Sequence, residues 1–177
     1  MKLVFPSIEY KEKAIDYIRE FHEYNSEING TGNLDYFLQE ESYEAWLESV
    51  LAHVDIANVP EDSVPAITYL YVREEDDCVV GMVNIRLALN DFLRKEGGNI
   101  GYSIRPTERR KHYATELLKD AVAVCNRIGI QEVLVACNKE NAASAGVIKN
   151  CGGVLKDEFF SETYQETTQM YCISCYK

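Results

Sequence analysis

Residues 99–119 constrain the fold more than any other part of this 177-residue chain. The segment begins with Ile100–Ile104, an apolar run with the length and β-branched content of a strand. Pro106 ends this run because proline has no amide proton to give to a ladder. From Ala114 onward apolar residues recur at steps of three and four, which predicts an amphipathic helix ending at Gly129. A strand therefore leads into a helix through a short loop.

The loop between this strand and this helix carries three basic residues in succession, Arg109, Arg110 and Lys111. The start of a helix already has a positive field, because its first backbone N–H groups are unpaired and its dipole is positive there. Cations are disfavoured at this place unless an anionic group docks among them, as phosphates do at helix N-termini. The alternative is a solvated basic face whose side chains turn away from the helix end.

The pattern around these residues resembles the acetyl-CoA-binding segment of the GNAT N-acetyltransferase family. That segment has Arg or Gln, two residues of any type, Gly, one further residue, and then Gly or Ala. Here Arg109 fills the first position and Ala114 the last, while His112 stands where the family has its first glycine. A side chain at His112 would either crowd the pyrophosphate or lie over it as a further donor, and both interpretations are open. The resemblance extends from residue 67 to the C-terminus, and its specific motifs lie within residues 98–153.

The remaining runs predict a mixed α/β fold with N-terminal helices, a mixed central sheet and a C-terminal antiparallel hairpin. Residues 99–137 predict a right-handed βαβ core, whose second strand has the continuous apolar run of a strand in a parallel sheet. Ser7 is predicted to cap the first N-terminal helix, and a second helix is predicted to begin at Ser42. Further strands are predicted over residues 2–5, 67–72, 78–87, 154–160 and 167–176, and a helix of small residues over 138–150. This pattern is similar to the GNAT fold, and we expect one domain over residues 1–177.

Charge and composition narrow the classes of partner. The net charge of −11 opposes binding to nucleic acids and anionic membranes, because their phosphates repel an acidic protein. A local basic cluster on an acidic chain instead indicates a small anionic cofactor, and the surrounding field would favour a cationic amine as co-substrate. No apolar run approaches the roughly 18 residues of a membrane span, and the N-terminus lacks a signal-peptide core, so we expect a cytoplasmic protein. Cys172 and Cys175 lie in the last predicted strand without a second pair to complete a zinc site, and no metal is predicted.

The resemblance implies which residues hold acetyl-CoA. Backbone N–H groups from Arg110 to Thr115 would bind the diphosphate, and pantetheine would pair with the backbone near Ile104 and Arg105. The helix after the second strand of the βαβ core would close the other side of the cofactor. The implied cofactor-binding residues are Ile104, Arg105, Arg109, Arg110, Lys111, His112, Tyr113, Ala114, Thr115, Asn141 and Ser144.

The resemblance also implies direct attack of a neutral amine on the acetyl thioester, which needs an oxyanion donor, a proton acceptor and an acid for the thiolate. The implied oxyanion donor is the amide of Tyr102, and such a donor contributes about 100 to 1000 fold in rate. Glu96 is the nearest carboxylate for the amine proton, and its alternative interpretation is an exposed turn residue. Many family members place a tyrosine acid where this chain has Ile148. Either water or another tyrosine, Tyr171 or Tyr164, would then protonate the thiolate.

The sequence thus predicts an acetyl-CoA-dependent N-acetyltransferase that acts on a primary amine of a small molecule or peptide, within a ternary complex. The alternative is a non-catalytic CoA-binding or acyl-CoA-sensing module of the same fold, which the changes at His112 and Ile148 would permit. Nucleic-acid binding through the basic cluster is disfavoured by the net charge and by the lack of stacking aromatics. No motif identifies the acceptor, and the sequence leaves both a monomer and a homodimer open.

Overall fold

A computed structural model describes residues 1–175 of the chain, which contain both strands and helices. The strands are β1 Lys2–Val4, β2 Ala66–Arg73, β3 Cys78–Arg86, β4 Ile100–Ile104, β5 Glu132–Asn138, β6 Val154–Ser161 and β7 Glu166–Ser174. The α-helices are α1 Lys11–Glu23, α2 Leu34–Glu40, α3 Tyr43–Ala52, α4 Tyr113–Arg127 and α5 Ala142–Asn150. A π-helical turn, Leu93–Gly97, precedes β4. The predicted mixed α/β fold is confirmed, and no helix within residues 1–175 is long and apolar enough to cross a membrane.

The strands form two antiparallel sheets that meet along a seam. One sheet has the order β1-β2-β3-β4 and the other β5-β7-β6. At the seam, the Asn99 N–H donates to the Leu134 carbonyl at 2.6 Å, and the Asn99 side chain accepts from the Leu134 N–H at 2.9 Å. The prediction that β5 is a strand of a parallel sheet is wrong, because β5 bonds to β7 in antiparallel register. As predicted, β4 and β5 are the strands that diverge.

Two apolar cores lie on opposite sides of the β1–β4 sheet. One joins α4 and α5 to both sheets and contains Leu117, Leu118, Val133, Val135 and Tyr171. The other lies under α1, α2 and α3 and contains Tyr17, Phe21, Trp46, Leu70 and Met82. The apolar stripes of α1 and α4 explain this arrangement, since each helix covers one side of the same strands with its apolar face.

Helix α1 is fastened to β4 by polar contacts. The Tyr17 hydroxyl donates to the Ser103 carbonyl at 3.0 Å. Arg105 is only 8% exposed, and its guanidinium pairs with Asp16 at 2.8 Å and Glu20 at 2.9 Å. The hydrogen bond from Arg105 holds the pKa of Asp16 below its usual value. These contacts fix the helix, and hence the loop that follows it, against β4.

The loop between α1 and α2 crosses β4 at Gly30. Gly30 has a φ of 73°, and a Cβ there would lie 2.2 Å from the carbonyl oxygen of Gly101. Only glycine combines this left-handed conformation with so close an approach of two backbones. Residues 27–29, before the crossing, line one cavity, and residues 32–33, after it, line another.

Two predictions about the N-terminal helices were tested by the structure. Ser42 caps α3, because its side chain accepts from the Ala45 N–H at 3.1 Å. The prediction for Ser7 is wrong: its side chain caps nothing, and its carbonyl instead accepts from the Tyr43 hydroxyl at 2.8 Å. Helix α2, Leu34–Glu40, was not predicted.

Candidate active site

The edge of β4 that faces away from β3 is open. On the β3 side, the Arg86 N–H donates to the Asn99 carbonyl and the Arg105 N–H donates to the Val80 carbonyl, each at 2.8 Å. Antiparallel ladder bonds involve alternate residues, so the Asn99 carbonyl and the odd-numbered residues from Gly101 to Arg105 face β3. The N–H of Tyr102 therefore points away from β3, toward the space where β5 diverges. This is the position that the sequence predicted for the oxyanion donor.

The divergence of β4 and β5 opens a cleft of about 490 Å³. Its walls come from both strands, from α5, from the loop after α1 and from the β6–β7 turn. The polar wall residues include Glu27, Glu96, Tyr102, Asn141, Ser144 and Glu166. The cleft therefore brings together the predicted catalytic residues Tyr102 and Glu96 with the predicted cofactor residues of α5.

The loop that enters α4 presents a row of free backbone donors. Within residues 1–175, the N–H groups from Arg110 to Ala114 have no hydrogen-bond partner, whereas the Thr115 N–H donates to the His112 carbonyl at 3.0 Å. Arg110 and His112 have φ values of 62° and 66°, the left-handed conformation that glycine adopts most readily. Alternation of left-handed and other conformations turns successive N–H groups toward one concavity, which suits an anion. His112 thus keeps the backbone conformation expected of the glycine it stands for, and its side chain is exposed.

The three basic side chains of this loop have different surroundings. Arg109 turns toward α1, where its Nε donates to the Ile104 carbonyl at 3.2 Å and its Nη2 to Ser26 Oγ at 2.7 Å. Lys111 pairs with Glu108 at 2.8 Å. Arg110 is the one of the three whose side chain has no partner within residues 1–175. Arg110 is therefore the side chain best able to approach a bound diphosphate.

These observations correspond to a known family. The chain matches the family model described as acetyltransferase (GNAT) domain over residues 15–154. It belongs to the GNAT acetyltransferase family. The resemblance seen in the sequence is thereby confirmed, and it covers the N-terminal helices as well. A search of curated proteins finds no match.

Solved structures share the GNAT fold along nearly the whole chain. The ribosomal-protein-S5-alanine acetyltransferase of Vibrio fischeri is 13% identical with a TM-score of 0.72, over 97% of this chain and 91% of that one. The microcin C7 self-immunity acetyltransferase MccE, in complex with acetyl-CoA and AMP, is 14% identical with a TM-score of 0.69, over 97% and 91%. A mutant of spermidine N-acetyltransferase SpeG from Vibrio cholerae is 14% identical with a TM-score of 0.64, over 98% and 95%.

Glu96 is a buried member of the cleft wall in this GNAT domain. The residue is 9% exposed, and its carboxylate accepts from Ser161 Oγ at 2.5 Å, with Lys95 Nζ 3.9 Å away. The interpretation of Glu96 as an exposed turn residue is therefore wrong. A carboxylate held by one neutral donor keeps accepting capacity for a proton or for an ammonium group.

The hydroxyl of Tyr102 crosses the cleft to α5. It lies 3.1 Å from Ser144 Oγ. Tyr102 therefore has a backbone N–H that faces the cleft and a side chain that joins β4 to α5. Burial raises the pKa of Tyr102 to about 12. Asn141 caps α5 by accepting from the Ser144 N–H at 3.0 Å, which fixes the start of the helix beside the cleft.

The structure does not bring every predicted site residue to the cleft. Tyr171 is fully buried in the core under α5, where its hydroxyl donates to Gln169 at 2.7 Å. Arg105 turns its side chain into the contacts with α1 described above, which leaves only its backbone for a cofactor. Tyr164 does line the cleft, from the β6–β7 turn. Of the two tyrosines considered as acids, only Tyr164 is therefore among the residues that line the cleft.

Arg86 and Thr168 are among the cleft residues that the sequence did not single out. Arg86 ends β3, and its Nη1 donates to the carbonyls of Gly97 and Gly98, at 3.0 Å each. Thr168 in β7 is 3% exposed, and its Oγ1 has no hydrogen-bond partner within residues 1–175. A positive charge at the end of an otherwise apolar run was the available signal for Arg86. No sequence signal marked Thr168, because threonine is ordinary in strands.

Proposed function

We propose that this GNAT domain transfers the acetyl group of acetyl-CoA to a primary amine of a small molecule or peptide, by direct attack in a ternary complex. Residues 1–177 would form a single domain for this reaction. The observation that carries the proposal is the row of free N–H groups from Arg110 to Ala114, close to the open edge of β4. Family neighbours of the same fold are named for acetylation of an alanine in a ribosomal protein and of spermidine, which are both amines.

The free donors fit acetyl-CoA in two ways. A diphosphate accepts several hydrogen bonds and is favoured at the positive end of α4, a helix of 15 residues. An extended pantetheine arm carries amide groups that can pair with a free strand edge, as peptides do in strand addition. The edge of β4 at Tyr102 and Ile104 supplies such groups, while Arg110 supplies charge. The cofactor would thus enter along α4 and present its thioester at Tyr102.

The reaction follows from the residues at that position. The amine nitrogen attacks the thioester carbon, the carbonyl oxygen becomes negative, and the Tyr102 N–H donates to it. Glu96, directly or through water, accepts the proton that the amine loses as the new C–N bond forms. The C–S bond then breaks, and the hydroxyl pair of Tyr102 and Ser144, which lines the cleft, would donate a proton to the thiolate. Because its pKa is about 12, the Tyr102 hydroxyl keeps its proton at neutral pH and remains a donor.

Carboxylates around the cleft suit a cationic acceptor. The cleft is lined by Glu27, Glu96 and Glu166. Glu96 is buried, Glu166 is half-buried and Glu27 is exposed. Their field raises the local concentration of ammonium groups, which then lose a proton inside the cleft. This arrangement supports an amine as the acceptor rather than an alcohol.

A direct experiment tests the proposal. Purified protein is incubated with acetyl-CoA and a panel of primary amines, and both thiol release and acetylated product are measured. Amine-dependent thiol release with matching product is the expected result. If calorimetry shows CoA binding while no amine is acetylated, the non-catalytic CoA-binding module is the correct alternative. If CoA does not bind at millimolar concentration, both functions are refuted.

A further inference from the structure

Arg86 carries a charge that the protein itself does not neutralise. Its guanidinium lies among backbone carbonyls, and no carboxylate within residues 1–175 forms an ion pair with it. Burial lowers the pKa of Arg86. Cations removed from water are ordinarily paired with an anion, because desolvation disfavours a lone charge. Since only Nη1 is engaged, Nε and Nη2 remain as two donors.

The residue that carries these two donors borders two cavities. Arg86 lines the acetyl-transfer cleft and also a second cavity of about 290 Å³, between helices α2 and α3 and strands β2 and β3. The loop crossing at Gly30 separates the two spaces. A Cβ on Gly101 would lie 3.6 Å from Arg86 Nη2, which places this donor beside the residue before Tyr102.

The carboxylates near these cavities are arranged so that they leave Arg86 free. Glu96 accepts from Ser161, and Glu166 accepts from Asn138 Nδ2. Asp62 lines the second cavity but is exposed and makes no ion pair with Arg86. The site therefore has carboxylates on the wall where the amine is expected and an unpaired guanidinium next to them.

We infer that Arg86 binds an anionic group of the acceptor, so that the acceptor is an amine that also carries a carboxylate or a phosphate. The inference rests on the proposed acetyl transfer. Adjacent residues of a strand are about 3.3 Å apart, so the guanidinium beside Gly101 and the thioester at Tyr102 are separated by roughly one or two residue lengths. Amine and anion therefore belong to one small molecule, or to the same end of a larger one. An amino acid and an aminoalkyl phosphate are the two simplest forms.

The test compares matched pairs of amines that differ in the anion. Glycine is compared with glycinamide, and O-phosphoethanolamine with ethanolamine, by kcat/KM in wild type, Arg86→Met and Arg86→Lys. Arg94→Met is the control, because Arg94 is an exposed arginine of the neighbouring turn. Comparing each ratio between variants cancels the different basicities of the amines. Calorimetry with CoA shows whether each variant is folded.

In one of the two pairs, the wild-type protein is expected to have the higher kcat/KM for the anionic amine. The ratio of kcat/KM for the anionic amine to kcat/KM for the neutral amine should fall about tenfold or more in Arg86→Met, which is the contribution of about one charge-assisted hydrogen bond. The loss in kcat/KM that Arg86→Met causes should therefore be about tenfold or more larger for this anionic amine than for its neutral partner, Arg86→Lys should be intermediate, and Arg94→Met should match wild type. The pair that responds identifies carboxylate or phosphate. If wild type acetylates the neutral amines at least as well and Arg86→Met changes both members equally, the inference is refuted while the acetyl transfer stands. If no amine is acetylated, the proposed function fails, and this inference fails with it. If Arg86→Met does not bind CoA, Arg86→Lys is the test variant. Lysine lacks the paired Nε and Nη2 donors, so an unchanged preference for the anionic amine in Arg86→Lys refutes the inference.

Discussion

Replacing Gly30 by alanine tests whether the loop after α1 determines the acceptor side of the site. A Cβ at this position would lie 2.2 Å from the Gly101 carbonyl oxygen and 2.6 Å from the Tyr102 Cα. Ordinary contacts are about 3.5 Å, so the loop or β4 must move by roughly 1 Å. A displacement of about 1 Å at reacting groups can reduce the rate about 100-fold. We therefore expect Gly30→Ala to lower kcat/KM about 100-fold and to weaken CoA binding far less, because the free N–H groups before α4 that would hold the diphosphate are not displaced.

A matched glycine separates this close approach from backbone strain. Gly129 has a φ of 88° with no atom within 4 Å of its Cβ position, so Gly129→Ala introduces strain alone. A left-handed residue with a side chain costs about 1 to 2 kcal/mol, and about 1 kcal/mol corresponds to about 2–4 °C in Tm for a chain of this size. Urea unfolding, kcat/KM and CoA calorimetry are measured on both variants. Gly129→Ala should lose stability but keep wild-type kcat/KM. Equal activity and equal stability of the two variants would refute the reasoning.

Three further predictions concern single side chains. Arg110→Glu should weaken CoA binding about tenfold or more, since it replaces an attraction to phosphate by a repulsion, whereas Lys111→Ala should have a smaller effect; calorimetry at two salt concentrations checks both. Glu96→Gln should lower kcat about 100-fold or more at unchanged CoA affinity, and steady-state kinetics that show a loss below about threefold would exclude Glu96 as the base. Thr168→Val should leave the free protein as stable as wild type or more stable by about 1 kcal/mol, because it removes a buried hydroxyl without a partner; a drop in the urea midpoint would show that the hydroxyl is satisfied.

The features of the fold that depend on neighbouring residues were predictable from the sequence. The strand Ile100–Ile104 has the predicted bounds, and the helix after it has its apolar stripe and its glycine at Gly129, which has a positive φ. The start of α3 after Ser42 was also predictable, because the signal for a helix start lies within one turn. Helix α2 was missed because it has only seven residues and begins at Asn33 without a side-chain cap. A helix this short has little periodicity to detect.

Pairings over long distances were not predictable in the same way. A continuous apolar run is typical of a parallel strand, but β5 receives its run from antiparallel pairing with β7 and from burial of Val133 and Val135 under α4 and α5. Nothing in the run itself distinguishes these cases. The separation into two sheets depends on Asn99, whose side chain takes the place of a backbone partner at the seam.

In the candidate site, too, local backbone features were predictable from the sequence and contacts between distant residues were not. Backbone donors of the loop were predictable from its position before a helix, and five of the six predicted N–H groups are free within residues 1–175. The directions of side chains were not predictable: Arg109 and Arg105 turn toward α1, and Tyr171 lies in the core. Glu96 is buried through Ser161, a residue distant in the sequence. The roles of these residues in catalysis and cofactor binding remain predictions for the experiments above.

The seam between the sheets has a consequence for solubility. A strand with unpaired N–H and C=O groups on the outside of a protein is a template for addition of another chain and hence for aggregation. Here the free edge of β4 faces a cleft whose walls include β5, α5 and the β6–β7 turn, so a slender ligand has easier access to it than a second polypeptide sheet has. The fold thus keeps an unsatisfied strand available for recognition without exposing it to association with other copies.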